Sequence, residues 1–78
     1  MWYVYFLQLN NGSIYVGSTN NLRYRVGSHQ RGQVESTKGY LPVKLRSYVA
    51  VLGERHAREL ERYFQSGSGK AFAKKRFC

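Results

Sequence analysis

Five polar side chains stand out by type and spacing. Tyr5 and Tyr15 lie ten residues apart, Arg25 and His29 four apart, and Glu61 follows in the second half of the chain. An arginine presents a planar fork that matches two oxygens of a phosphate. A lone carboxylate can hold one hard cation when water and substrate oxygens complete its shell. A tyrosine is a poor base at its ordinary pKa of about 10. A neighbouring guanidinium, a metal ion and a strongly positive surrounding all favour its phenolate. A histidine one turn beyond an arginine can orient a tyrosine or donate to a phosphate. Each residue also has an ordinary role. Strand tyrosines pack half-buried, helical arginines are solvated or paired, Glu61 can meet Arg58 or Gln65, and His29 can complement a helix end. Only order and spacing together carry a chemical reading.

Other constellations fail on their own requirements. Gly67-Ser68-Gly69-Lys70 looks like a phosphate loop, but Phe64 stands where the leading glycine belongs and Ala71 where Ser or Thr must follow. His56 and Glu59 are too few ligands for zinc. Two histidines and no aspartate leave no credible serine triad. One thiol, Cys78, can neither staple the fold nor build a cysteine-based zinc site.

Composition narrows the partners. The 78 residues carry 13 Lys plus Arg against 4 acids, all of them Glu, for a formal charge of +9. With no Asp, a calcium loop and a pair of catalytic aspartates are both excluded, and a two-metal mechanism is not expected. The excess points to a polyanion. The basic residues spread from Arg23 to Arg76, interleaved with aromatics. A membrane-surface helix would concentrate them, so nucleic acid is the expected partner and a membrane is not. The length suits one domain, residues 1–78, with a small core. The apolar stretch Met1–Leu7 is too short for a membrane span and lacks the flanks of a signal peptide. The sparse cysteine suits a reducing compartment, and a cytoplasmic location is the expectation.

Residues 2–9 are aromatic and aliphatic on both alternating faces, which predicts a central strand. Asn10-Asn11-Gly12 signals a turn and residues 13–17 the return strand. Ser18-Thr19-Asn20-Asn21 offers four N-cap candidates for a helix whose Leu22 and Val26 face the core. Gly32 ends it, and residues 30–42 read as a loop. A third strand over Val43–Leu52 sets Val43, Leu45, Val49 and Val51 on one face, with Lys44, Arg46 and Tyr48 on the other. Glu54–Gln65 is the clearest helix, with Ala57, Leu60 and Phe64 as its buried stripe. Ser66–Gly69 breaks it, and Lys70–Phe77 forms a short final helix. The fold class is α/β (α+β), a small, mostly antiparallel three-stranded sheet flanked by helices in β-β-α-β-α-α order.

At this point the chain resembles the GIY-YIG endonuclease superfamily. The resemblance rests on Tyr3-Val4-Tyr5, Tyr15-Val16-Gly17, Asn21-Leu22-Arg23-Tyr24-Arg25 with His29, and Ala57-Arg58-Glu59-Leu60-Glu61. It spans roughly residues 2–65. It is closest in character to the small stand-alone members and to the N-terminal nuclease domain of the bacterial excision-repair incision protein. Tyr3 stands where the first motif usually has Gly, and Val replaces Ile twice. A polar Asn seen near the end of many members has no counterpart in Ala71-Phe72-Ala73-Lys74-Lys75.

The resemblance implies DNA phosphodiester hydrolysis with one divalent metal, Mg²⁺ or Mn²⁺, held by Glu61. It makes Tyr5, Tyr15, Arg25, His29 and Glu61 the catalytic set. Tyr15 is the preferred general base, with Tyr5 its hydrogen-bonded neighbour or the base itself. Arg23, Arg31, Lys38, Lys44, Arg46, Lys70, Lys74 and Lys75 are the expected DNA contacts, largely to backbone. No base-reading module is present, so structure-guided or weakly specific cleavage in DNA repair or recombination is expected. The rival reading is a nucleic-acid-binding module that keeps the fold without cleaving. Cutting both strands would call for a dimer or a larger complex, for which the sequence offers no interface. One geometric requirement follows. Tyr5 and Tyr15 share a sheet face only if paired positions sum to an even number, which demands a three-residue Asn10-Asn11-Gly12 loop or a bulge.

Overall fold

A strand that is apolar on both faces must be covered on both, and the middle of a sheet is where that happens. In the computed structural model, which describes residues 1–77, Trp2–Gln8 forms β1 at the centre of a three-stranded sheet ordered β2-β1-β3. Strands β2 (Ile14–Thr19) and β3 (Lys44–Val51) both run antiparallel to it. Helices α1 (Leu22–Gln30), α2 (Glu54–Gln65) and α3 (Gly67–Arg76) complete the expected β-β-α-β-α-α order. Cys78 lies outside the described residues.

The two faces of β1 carry separate cores. Val4 and Phe6 join Ile14 and Val16 under α2 and α3, packing on Ala57, Phe64 and Ala73. Phe6 meets Phe64 edge-on at 5.1 Å and stacks on Phe77 at 5.2 Å. Tyr5 and Leu7 face the other way, onto Val26 of α1 and Val43.

The β1–β2 loop is the three-residue one. Leu9 N–H donates to Ser13 O at 2.8 Å and Gly12 N–H to Leu9 O at 2.9 Å. Gly12 sits at φ +86, a conformation open to glycine. Tyr5 therefore pairs with Gly17 and Leu7 with Tyr15, which puts both tyrosines on one face.

Strand β3 departs from simple alternation. Its register shifts between Phe6 and Leu7, so Phe6 opposes Ser47 while Leu7 opposes Leu45. The extra residue, Arg46, reverses which side chains point where. Val49 and Val51 pack with the Val4 cluster, whereas Val43 and Leu45 turn toward the Leu7 side. The expectation of one apolar face for all four is thus corrected. Tyr48 is placed opposite Tyr5, on the tyrosine face.

Local signals explain the helix ends, with two corrections. Of the four N-cap candidates, Asn21 caps α1 through its side chain to Tyr24 N–H at 3.2 Å, while Ser18 and Thr19 remain in β2. The segment read as loop contains a 3-10 turn at Lys38–Tyr40 and buries Val34 and Thr37. The expected break does end α2, but it is confined to Ser66, which also caps α3. Ser66 Oγ accepts from Gly69 N–H at 3.2 Å and α3 starts at Gly67. A Cβ on Gly69 would stand 1.9 Å from Tyr63 O, so only glycine lets α3 turn this tightly against α2. Among the described residues, no helix is long and apolar enough to cross a membrane.

Candidate active site

Gly17 sets the geometry of the tyrosine face. A Cβ there would lie 2.3 Å from the Tyr5 hydroxyl, so the ring lies against the bare backbone of β2. From that position the hydroxyl meets His29 Nε2 at 2.9 Å. The other ring nitrogen, Nδ1, is 2.8 Å from Thr37 Oγ1. Tyr5, His29 and Thr37 are all buried, and the three form one connected chain from β1 through α1 to the loop.

Burial, and next the Arg25 guanidinium, lower the His29 pKa to about 4. The ring is neutral near pH 7, with one N–H and one lone pair, and both are committed. Of the two expected roles, orienting a tyrosine is available, while donation to phosphate has no spare N–H. Stability follows the same titration. The unfolded chain binds the His29 proton below about 6.5 and the folded chain only below about 4. Stability is full above about pH 6.5 and falls as pH drops toward 4, by about 3 kcal/mol for this group. Urea melts at pH 7.5, 5.5 and 4.5 check this, and His29→Gln should flatten the profile. A profile unchanged by that substitution overturns the assignment.

Tyr15 is half-buried beside the same histidine, its ring 5.2 Å from His29 and 6.5 Å from Tyr5. Its hydroxyl lies 3.5 Å from Ser36 Oγ. Burial raises the Tyr5 pKa above 10, the Arg25 guanidinium beside it pulls the other way, and Tyr15 and Glu61 push it up further.

Glu61 stands beside β2, the edge strand next to β1. Gln65 Nε2 donates both to Val16 O on that edge and to Glu61 Oε2, each at 3.0 Å. The Ser18 hydroxyl donates to Glu61 Oε1, and Arg58 stands 3.8 Å away. The carboxylate is thus aimed by three neighbours yet 22% exposed. Among the described residues no three His, Cys, Asp or Glu gather. A single, partly exposed, oriented carboxylate fits Mg²⁺, which keeps most of its shell as water and phosphate oxygens. The structure therefore brings Tyr15, Arg25 and Glu61 within electrostatic reach of the Tyr5 hydroxyl, with His29 fully buried against both tyrosine rings.

The basic candidates divide. Arg23 is exposed on α1 and Arg31 is exposed at its C-cap, where it reaches Gln33 Oε1 at 3.4 Å. Lys38 pairs with Glu35 at 3.0 Å. Lys44 and Arg46 are exposed on β3. Lys70, Lys74 and Lys75 project from α3, which covers the opposite sheet face from the tyrosines. Sequence reasoning missed Thr37 and Ser18 as partners of His29 and Glu61. Ser18 stood only among the cap candidates, and Thr37 lay in a segment without periodicity, so neither carried a signal.

Comparison with known proteins agrees with the geometry. Residues 1–76 match a family described as the GIY-YIG catalytic domain. A UPF0213 protein of Bacillus licheniformis is 38% identical over 69 residues, covering 87% of this chain and 71% of the relative. One of Clostridium perfringens is 38% identical over 66 residues, covering 83% and 71%. One of Streptococcus agalactiae serotype V is 30% identical over 70 residues, covering 88% and 80%. No solved structure matches the chain.

Proposed function

Since the chain belongs to the GIY-YIG catalytic-domain family, a family of nucleases, we propose that it is a DNA endonuclease hydrolysing phosphodiester bonds with one divalent metal. The observation that carries the reading is that Tyr15, Arg25 and Glu61 all lie within electrostatic reach of the Tyr5 hydroxyl in a chain with net charge +9. Tyr15 is the general base. It is the more accessible tyrosine, whereas burial holds Tyr5 protonated against His29. Tyr15 takes the proton of the attacking water, and its ring is held in place by contact with His29. Arg25 binds two non-bridging phosphate oxygens and offsets the charge that develops on them. Tyr5, His29 and Thr37 form the rigid wall that fixes where Tyr15 and Arg25 stand. Glu61 would hold Mg²⁺ or Mn²⁺, with Ser18 and Gln65 orienting it, and the bound ion would polarise the scissile phosphate and stabilise the leaving oxygen.

Arg23, Arg31, Lys38, Lys44 and Arg46 contact DNA backbone near the cleft, and Lys70, Lys74 and Lys75 of α3 do so on the other side. Contacts of this kind position without reading sequence, which supports structure-guided cleavage in repair or recombination. The protein acts in the cytoplasm, and duplex cleavage on both strands uses a dimer or larger complex.

The test is a cleavage assay with Mg²⁺ and with Mn²⁺ on duplex, branched and single-stranded DNA, with Glu61→Ala as control. Metal-dependent products lost in the control support the reading. Binding with every substrate left intact makes the chain a non-catalytic module instead. A second measurement tests the partner alone. The log of the DNA association constant should fall with log salt at a slope of about −0.9 per phosphate contacted, and a flat response removes nucleic acid.

A further inference from the structure

The tyrosine face does not end at Tyr5. Tyr3, two residues earlier on β1, projects from the same face about 6.7 Å along the strand. Across the ladder, Tyr5 opposes Tyr48 and Tyr3 opposes Ala50. Tyr48 is 52% exposed, Tyr3 is half-buried, and Ala50 opposite Tyr3 is exposed. The Tyr3 and Tyr48 rings meet edge to face, centroids 5.8 Å apart at 73°. In such a pair only one ring gives up a face to its partner, so flat aromatic surface remains open beside the cleft. Tyr48 owes its place to the registration of β3, which sets it directly opposite Tyr5. A packing role does not explain it, because both apolar clusters of the sheet leave Tyr3 and Tyr48 out.

We propose that Tyr3 and Tyr48 form a stacking platform for an unpaired base of the substrate, next to the phosphate held at Tyr15 and Arg25. The inference rests on the nuclease reading and deepens it by naming the substrate class: DNA with at least one unstacked nucleotide beside the scissile bond, whether single-stranded, bulged or flapped. Three observations select this occupant. The +9 chain favours a polyanion. The platform is continuous with the candidate cleft through the Tyr5–Tyr48 pairing. An exposed aromatic face accepts any base by stacking, whereas a paired base inside a duplex presents only its edge and cannot lie on it.

The experiment uses the whole chain in EDTA, so that binding is read without cleavage. The probes are an oligonucleotide with one unpaired 2-aminopurine, the same strand with an abasic site there, and a fully paired duplex of equal length. Wild type should bind the unpaired probe at least about tenfold more tightly than the duplex and quench its fluorescence. Tyr48→Ala should lose roughly 5- to 150-fold on the unpaired probe, with little change on the duplex. Tyr48→Phe should keep both affinity and quenching, and the abasic probe should reproduce the Tyr48→Ala loss in wild type. Thermal melts confirm that the variants remain folded, and Tyr3→Ala supplies a second variant on the other strand. Equal affinity of wild type and both alanine variants for the unpaired probe overturns the platform. An equal loss on unpaired and duplex probes also overturns it. If duplex is nonetheless cleaved in a Glu61-dependent way, the nuclease reading survives that failure. If no DNA binds at all, both fall.

Discussion

Glu61→Gln is expected to lower metal-dependent cleavage by about three orders of magnitude while leaving DNA affinity nearly unchanged. Glutamine keeps the shape, and its single oxygen can still accept from either Ser18 or Gln65, though not from both. The charge and one acceptor oxygen are lost, and a neutral amide holds Mg²⁺ poorly. Affinity should if anything rise slightly, since one negative charge leaves a basic surface. Stability should change little, because the carboxylate is partly exposed and its pairing with Arg58 is loose at 3.8 Å. The effect is expected to be large because, among the described residues, no group of three His, Cys, Asp or Glu forms an alternative metal site. Single-turnover cleavage across a Mg²⁺ titration checks it. A variant that cleaves within a few-fold of wild type at saturating metal would show that Glu61 is not the metal ligand.

Gly17→Ala should damage both stability and activity. Its Cβ would occupy space 2.3 Å from the Tyr5 hydroxyl and 2.5 Å from the ring carbon that bears it. The ring is fixed on β1 in a buried core and cannot move aside without leaving His29. Overpacking of this kind costs about 1–3 kcal/mol. Separating the Tyr5 hydroxyl from His29 leaves buried polar atoms unpaired, for about 1–3 kcal/mol more. In a domain of this size the two costs together lower Tm by roughly 10–50 °C. Cleavage should be lost even at temperatures where the variant is folded, because Tyr5 no longer holds the wall behind Tyr15. The informative control is Gly27→Ala on α1. There a Cβ meets only the far end of the flexible Arg31 side chain, at 3.0 Å. Alanine also favours a helix by up to about 1 kcal/mol. Thermal melts of the two variants should therefore move in opposite directions. Equal, small shifts would mean that the Tyr5 ring does not depend on the bare backbone at Gly17.

Much of this was legible along the chain. Local signals suffice where the cause is local. Both faces of residues 2–9 are apolar, so β1 had to be central. The run of cap residues before Leu22 and the stripe of Ala57, Leu60 and Phe64 announce α1 and α2. The three-residue loop at Asn10–Gly12 followed from a parity condition, and the pairing of Tyr5 with Gly17 meets it. Other features escaped because their causes are not local. An inserted residue in β3 leaves no mark in composition, yet it divides Val43 and Leu45 from Val49 and Val51 and sets Tyr48 beside Tyr5. Ser66–Gly69 reads as a breaker until α2 is present for α3 to fold against. Thr37 lies eight residues beyond His29 and is aligned with it only once the loop closes over α1.

By itself, then, the sequence determined the charge of +9, the absence of Asp and the element order, and it stated the parity that a shared tyrosine face requires. These depend on residue type, short-range periodicity and turn chemistry, which act over a few residues. Tertiary structure alone decided that His29 is buried, neutral and committed at both nitrogens, that Ser18 and Gln65 aim Glu61, and that the basic residues divide between two sides of the sheet. Desolvation and hydrogen-bond partners across 24 or 43 residues of chain arise only when strands and helices close on one another.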